Sequence, residues 1–136
     1  MGRVLGVDYG DKRIGLAISD ELGIVATPLG THTRKCKGDD VNAVAAICRE
    51  RGIDSVVVGH PLNMDGSSGA AVEKVDDFVQ RLGAAIDLPI ELWDERMSTM
   101  SAERVLIEGN MSRRKRKGVV DKLAAQIILQ NYLDSQ

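Results

Sequence analysis

Three carboxylates stand where packing alone would not put them. In "RVLGVDY", Asp8 falls near the end of a short apolar run, although strands disfavour aspartate. Alternation sets Val4, Gly6 and Asp8 on one face of this run and Leu5 and Val7 on the other. Glu95 closes a second strand-like run, "PIELWDE". Asp121 lies in "VVDKLAAQIILQ", in the first turn of a final helix read from Val119 to Leu133, with Ala124 and Ala125 just beyond it. Such small side chains let a helix approach a sheet closely and bring the acid with it. Singly, each acid has an ordinary account. Asp8 could begin a turn, Glu95 could pair with Arg96 or Arg104 on the surface, and Asp121 could favour a helix N-terminus. Converging at one end of a sheet, the three would repel and raise each other's pKa values. A divalent cation removes the conflict. Oxygen-only ligands suit Mg²⁺ or Mn²⁺, and so few protein ligands leave coordination positions for water and phosphate.

The elements that must position these acids are legible in outline. Arg3–Asp8 and Arg13–Ser19 flank "YGDK", which suggests a hairpin. A third strand is expected from Ile24 to about Thr33, after the turn "DELG". Asp39–Arg51 carries apolar residues at helical spacing and stops at Gly52. "SVVVG", Ser55–Gly59, is the continuous β-branched run of a buried parallel strand. "HPLNMDGSSG" is a loop by composition, with Ser67 or Ser68 able to cap the helix Ala70–Ile86. "PIELWDE" is a further strand, Ser98–Glu108 a helix, and "GNMSRRKRKG" a basic connection before the last helix. Three antiparallel strands followed by βα units give an α/β mixed sheet with helices on its faces.

Composition sets the bounds. The chain has 136 residues, and about 100–150 is the commonest domain size, so a single domain over 1–136 is expected. An apolar fraction of 43% and a charged fraction of 28% fit an ordinary soluble globular protein. Aromatics make up only 3%, which argues against single-strand binding on a stacking platform. Net charge is −2, yet "RRKRK", Arg113 to Lys117, is five consecutive cations, so an acidic body carries one basic segment. Cys36 and Cys48 belong to no CxxC or Cys/His ligand pattern. "MGRVLG" lacks a signal-peptide core and a myristoylation Ser/Thr at Gly6. No apolar stretch approaches the roughly 20 residues that span a bilayer. A cytoplasmic protein without a membrane partner is expected.

Several cations could meet phosphate. Lys12 and Arg13 follow Asp8 in the hairpin turn and could bind phosphate or be solvated turn residues. Arg113, Arg114, Lys115, Arg116 and Lys117 would form a cationic loop beside the acids, supplying affinity without sequence readout. Asn63, in the loop after the parallel strand, could contact substrate. His60 ends that strand and reads as a hydrogen-bonded structural histidine, and Trp93 as packing.

"GVDYGDKRIGLAISD", "VVVGHPLNMDGS", "DERMST" and "VDKLAAQIILQNYL" together resemble the four signature segments of the YqgF-type family. Members of this bacterial family are described both as pre-16S rRNA nucleases and as Holliday junction resolvases. The resemblance covers nearly the whole chain, in order. It implies an RNase H-like fold with a five-stranded sheet and helices on both faces. It also implies an active site of Asp8, Glu95 and Asp121 that holds Mg²⁺ or Mn²⁺ and hydrolyses phosphodiesters by a two-metal route. No nucleophilic side chain is needed, in keeping with the absence of a GxSxG or Cys/His pattern. The chain departs from the family at His60 and in "MST", Met97 to Thr99, and neither change touches an implied ligand.

The implied partner is a nucleic acid, either structured RNA such as the 5′ leader of precursor 16S rRNA or branched DNA. The implied state is a monomer or weak homodimer, and symmetric junction cleavage would require the dimer. Two further classes compete. "DYG" also fits the first phosphate loop of actin-type and sugar-kinase ATPases, but those need two such domains. A non-catalytic nucleic-acid-binding module would be expected to have lost its acids, and all three are present.

Overall fold

A computed structural model describes residues 2–61, 69–95 and 113–136, with the backbone alone for 113–122. Five strands and three helices fall within these residues. The strands are β1 (Val4–Tyr9), β2 (Arg13–Ser19), β3 (Ala26–Thr33), β4 (Ser55–His60) and β5 (Ile90–Asp94). The helices are α1 (Lys37–Glu50), α2 (Ala70–Ala85) and α3 (Arg113–Asp134). The expected helix Ser98–Glu108 and residue Asn63 lie outside the described residues.

The strands form one sheet in the order β3-β2-β1-β4-β5. β1, β2 and β3 pair antiparallel, with Asp8 opposite Gly15 and Tyr9 opposite Ile14. β4 joins β1 in parallel, with Val7 beside Val58, and β5 joins β4 in parallel, with Gly59 beside Trp93. The mixed sheet expected from the strand and helix pattern is therefore present. β1 is its central strand, hydrogen-bonded on both edges.

Alternation along β1 sorts two cores. Leu5 and Val7 pack with Ile14, Leu16, Val56 and Val58 beneath α1 and α2, which contribute Val44, Cys48, Phe78 and Leu82. On the other face, Val4, Ala17 and Val57 meet Ala124, Ala125, Ile128 and Leu129 of α3. Helices thus cover both faces. Gly6 belongs to the α3 face, and a β-carbon there would stand 2.7 Å from Leu129 Cβ and 3.2 Å from the Ala125 carbonyl oxygen. The small residues Gly6, Ala124 and Ala125 bring helix and sheet into backbone contact. Trp93 packs against this core and meets Tyr132 edge-on at 5.8 Å.

Several boundaries differ from the sequence expectation, each for a local reason. β3 begins at Ala26, not Ile24, because Asp20 Oδ1 accepts hydrogen bonds from the Ile24 and Val25 amides at 2.7 and 3.1 Å and holds them in a turn. Ile24 and Val25 are left exposed there. α1 begins at Lys37 because Cys36 is its N-cap, its sulfur accepting from the Asp39 amide at 3.5 Å. α2 has Gly69 as N-cap with no side-chain bond, and Ser67 and Ser68, the expected caps, lie outside the described residues.

The largest correction concerns α3. Arg113–Lys117 are helical, not a loop, and the helix runs through Gly118 to Asp134. Arg and Lys are good helix formers, and one interior glycine costs only about 1 kcal/mol. Asp121 therefore lies in the third turn, where the N-terminal macrodipole no longer accounts for it. None of the described helices is long and apolar enough to cross a membrane.

Candidate active site

Asp8 and Glu95 line one cavity of about 210 Å³ at the C-terminal end of the parallel strands, together with Gly10, Gly59 and Pro61. Asp8 reaches it from the penultimate position of β1, and Glu95 from the residue after β5. Both are half-buried. Gly59 makes the approach possible. A β-carbon there would lie 3.0 Å from Glu95 Oε1 and 2.7 Å from Ile128 Cδ1, so only a bare α-carbon lets the carboxylate lie against β4. Gly59 is a site residue that the sequence reading passed over; its signal was a glycine ending a β-branched run.

Asp121 stands on α3 one helical turn before Ala125, the residue in contact with the Gly6 position. Its side chain lies outside the described residues, as do those of Arg113, Arg114, Lys115, Arg116 and Lys117. The backbone sets Lys117 and Arg114 four and seven residues before Asp121, on the same face of the helix. Lys12 is exposed at the hairpin tip and Arg13 half-buried at the start of β2; neither lines the Asp8–Glu95 cavity. His60 Nε2 lies 3.1 Å from Asp76 Oδ1 of α2, in keeping with a structural role.

The donor set fits a hard divalent cation. Among the described residues, two half-buried carboxylates share one small cavity with no nitrogen or sulfur ligand lining it, and oxygen-only sets select Mg²⁺, Mn²⁺ or Ca²⁺. A different group, His32, Asp39 and Asp40, has its ligand atoms within 4.8 Å of one another. It lies at the β3–α1 junction. Asp40 is fully buried there and already occupied: Arg34 Nε donates to it at 2.9 Å, His32 Nε2 lies 3.3 Å away and the Lys35 amide donates at 3.2 Å.

Burial is the largest single influence on Asp40 and opposes its ionisation. The Arg34 hydrogen bond and charge, the Lys35 amide and His32 together outweigh it, so the carboxyl titrates below its ordinary value of 3.8. A lowered carboxyl pKa stabilises the fold above the unfolded-state value, and the contribution is lost as pH falls through the folded-state value. Urea unfolding of the wild type should therefore lose stability steeply below about pH 4, the ordinary carboxylate range. Asp40→Asn should be less stable at pH 6 and show a flatter acid limb. Parallel acid limbs for the two proteins would contradict this assignment.

The five-stranded sheet, flanked by helices and carrying Asp8 near the end of its central strand and Glu95 just after its edge strand β5, is an RNase H-like fold of the kind found in resolvases. It matches *Thermus thermophilus* RuvC in complex with a Holliday junction substrate with a TM-score of 0.63 at 16% identity, covering 99% of this chain and 96% of that one. It matches the yeast mitochondrial Holliday junction resolvase Ydc2 with a TM-score of 0.55 at 12% identity, covering 97% of this chain and 78% of that one. At these identities the likeness is one of fold. The sequence is more specific: residues 2–135 match the model of the RuvX family, described as Holliday junction resolvase, and the chain belongs to that family. Relatives named "Putative pre-16S rRNA nuclease" include one from *Caldanaerobacter subterraneus* subsp. *tengcongensis*, 53% identical over 135 residues, covering 98% of this chain and 97% of the relative. Another, from *Halothermothrix orenii*, is 49% identical over 134 residues and covers 98% and 96%.

Proposed function

We propose that this chain is a metal-dependent endonuclease that hydrolyses phosphodiester bonds at the 5′ end of precursor 16S rRNA. The observation that carries the chemistry is the pair Asp8 and Glu95 on one cavity, with Gly59 leaving room for the second carboxylate. The names of the near-full-length relatives support the RNA substrate. Asp8, Glu95 and Asp121 would hold Mg²⁺ or Mn²⁺. When bound, such cations supply charge neutralisation at the phosphoryl oxygens and at the departing 3′ oxygen, and a water nucleophile near neutral pH. The protein's own part is to fix the acids on rigid elements and to bind the flanking backbone. Lys12 and Arg13 suit one side, the helical cations Arg113–Lys117 the other, and Asn63 the loop after β4. Phosphate contacts of this kind give affinity and register without reading sequence.

The family description favours a second reading, cleavage of a four-way DNA junction. One comparison separates the two. A precursor 16S 5′ leader and a four-way junction are incubated side by side with wild type and Asp8→Asn, in Mg²⁺ and then Mn²⁺. The expected result is cleavage of the leader that the variant lacks. Cleavage of the junction alone would move the function to recombination. Binding without cleavage of either would make the protein a non-catalytic module.

A further inference from the structure

We propose that Arg34 is a positioning residue for the active site, clamping the turn that follows Asp8. This rests on the reading of Asp8 as a site carboxylate. Arg34 directs its guanidinium to three places at once. Nε binds the buried Asp40 carboxylate at 2.9 Å. Nη1 donates to the carbonyls of Gly10 and Asp11, each at 3.1 Å. The guanidinium carbon lies 4.4 Å from the centroid of the Tyr9 ring, whose other face stacks on Phe78 at 4.5 Å. The Arg34 amide adds a fourth tie, donating to the Lys12 carbonyl at 2.9 Å. Tyr9, Gly10, Asp11 and Lys12, the four residues after Asp8, are thus all fixed to one side chain or its backbone.

The geometry separates this role from a plain ion pair. Asp40 needs only a cation, and one guanidinium nitrogen meets that need. The bonds to Gly10 and Asp11 add little stability, because Asp11 is exposed and water could solvate its carbonyl as well. Their effect is directional. β1 is held by ladders up to Tyr9; beyond it the turn is closed by the Gly10 amide donating to the Arg13 carbonyl at 3.0 Å and by Lys74 Nζ on Asp11 Oδ1 at 3.1 Å, and the guanidinium adds the two carbonyl bonds to these ties. A catalytic carboxylate must be held within about 0.5 Å of its working place. The clamp extends the rigidity of the core, through Phe78 and Tyr9, past the residue that needs it.

Arg34→Lys keeps the charge beside Asp40 and removes the planar fork that holds Asp40 with Nε and the two carbonyls with Nη1. Arg34→Met with Asp40→Leu removes both charges, so that no buried ion is left unpaired. Each is compared with wild type and Asp8→Asn for three properties: melting temperature, amide hydrogen exchange of residues 9–13 in the metal-free intact protein, and kcat and KM on whichever substrate the wild type cleaves. For Arg34→Lys we expect a melting temperature within a few degrees of wild type and exchange in the turn about tenfold faster. We also expect kcat about tenfold lower with KM within about twofold, since sub-ångström misplacement acts on the chemical step. The double variant should show the same fast exchange and low kcat, and a melting temperature somewhat below wild type because the Lys35 amide and His32 lose their carboxylate. Unchanged exchange and kcat in Arg34→Lys would overturn the inference. So would wild-type kcat in the double variant, because a purely structural pair is replaceable. If Asp8→Asn still cleaves, the site assignment fails instead, and hydrogen exchange continues to test the clamp.

Discussion

Asp8→Asn should lower the cleavage rate by about a thousandfold while leaving the melting temperature within a few degrees of wild type. That loss is roughly 4 kcal/mol of transition-state stabilisation, at the scale of removing a preorganised electrostatic partner from a confined site. The substitution keeps the size and shape of the side chain, removes its charge and turns one acceptor oxygen into an NH2 donor. Asp8 sits in the strand that both cores share, so the backbone that carries it is over-determined by neighbours: Gly15 across the antiparallel ladder, buried Val7 before it and stacked Tyr9 after it. The neutral amide therefore stays in place and is a weaker ligand for a divalent cation. Single-turnover cleavage and calorimetric titration with Mg²⁺ should fall together. A variant that binds Mg²⁺ as the wild type does and still cleaves would remove Asp8 from the site. Glu95→Gln should behave in the same way, because its carboxylate lines the same cavity.

The second large effect concerns two glycines that look alike in sequence and should fail differently. At Gly6, an added β-carbon meets Leu129 Cβ at 2.7 Å and the Ala125 carbonyl at 3.2 Å. Neither is the far end of a flexible side chain, and β1 is fixed between β2 and β4, so α3 itself must move. Overpacking of this kind costs about 1–3 kcal/mol. Displacing the helix that carries Asp121 by even about 1 Å should cost roughly a hundredfold in rate. Gly6→Ala is thus expected to lower both stability and cleavage. At Gly59 the first obstacle is Ile128 Cδ1, which can rotate away, and the second is Glu95 Oε1 at 3.0 Å. Gly59→Ala should melt close to wild type and still lose most of its cleavage, because the new methyl pushes the carboxylate aside. Denaturant unfolding and initial rates on both variants check the contrast. Equal stability losses at the two positions would refute it.

The parts of the fold that were legible in sequence are those where one physical signal dominates. The run Ser55–Gly59 reads as a buried strand, and the apolar positions Val72, Val75, Phe78, Val79 and Leu82 define one face of a helix; all but Ser55 and Val79, which are half-buried, are buried. The alternation of β1 groups Asp8 with Val4 and Gly6, the two residues that meet α3. Signals that depend on distant partners were not legible. Ile24 and Val25 are apolar enough to extend β3, and only the Asp20 carboxylate on their amides shows why they do not. Cys36 is an unusual cap, and "RRKRK" reads as a solvated loop although it is helical. The Arg34 contacts join residues more than twenty apart in the chain, and nothing local to "HTRKCKGDD" points back to Asp8. The three acids stood out because carboxylates at such places are costly without a purpose, whereas arginine on a partly exposed junction is unremarkable.

The placement of α3 bears on how the protein is made. α3, made after all five strands, packs on β1, β2 and β3. Until it emerges from the ribosome, Val4, Ala17 and Val57 have one bare flank, and Gly6 faces solvent where Leu129 will sit. The nascent sheet can gather α1 and α2 on its other side as they appear, but its second core waits for α3. Asp8 and the helix that carries Asp121 are likewise apart until then. On the proposed reading, a chain that has not yet made α3 carries no assembled cleavage centre, so a nuclease whose own messenger and ribosome are close at hand stays inert until α3 docks.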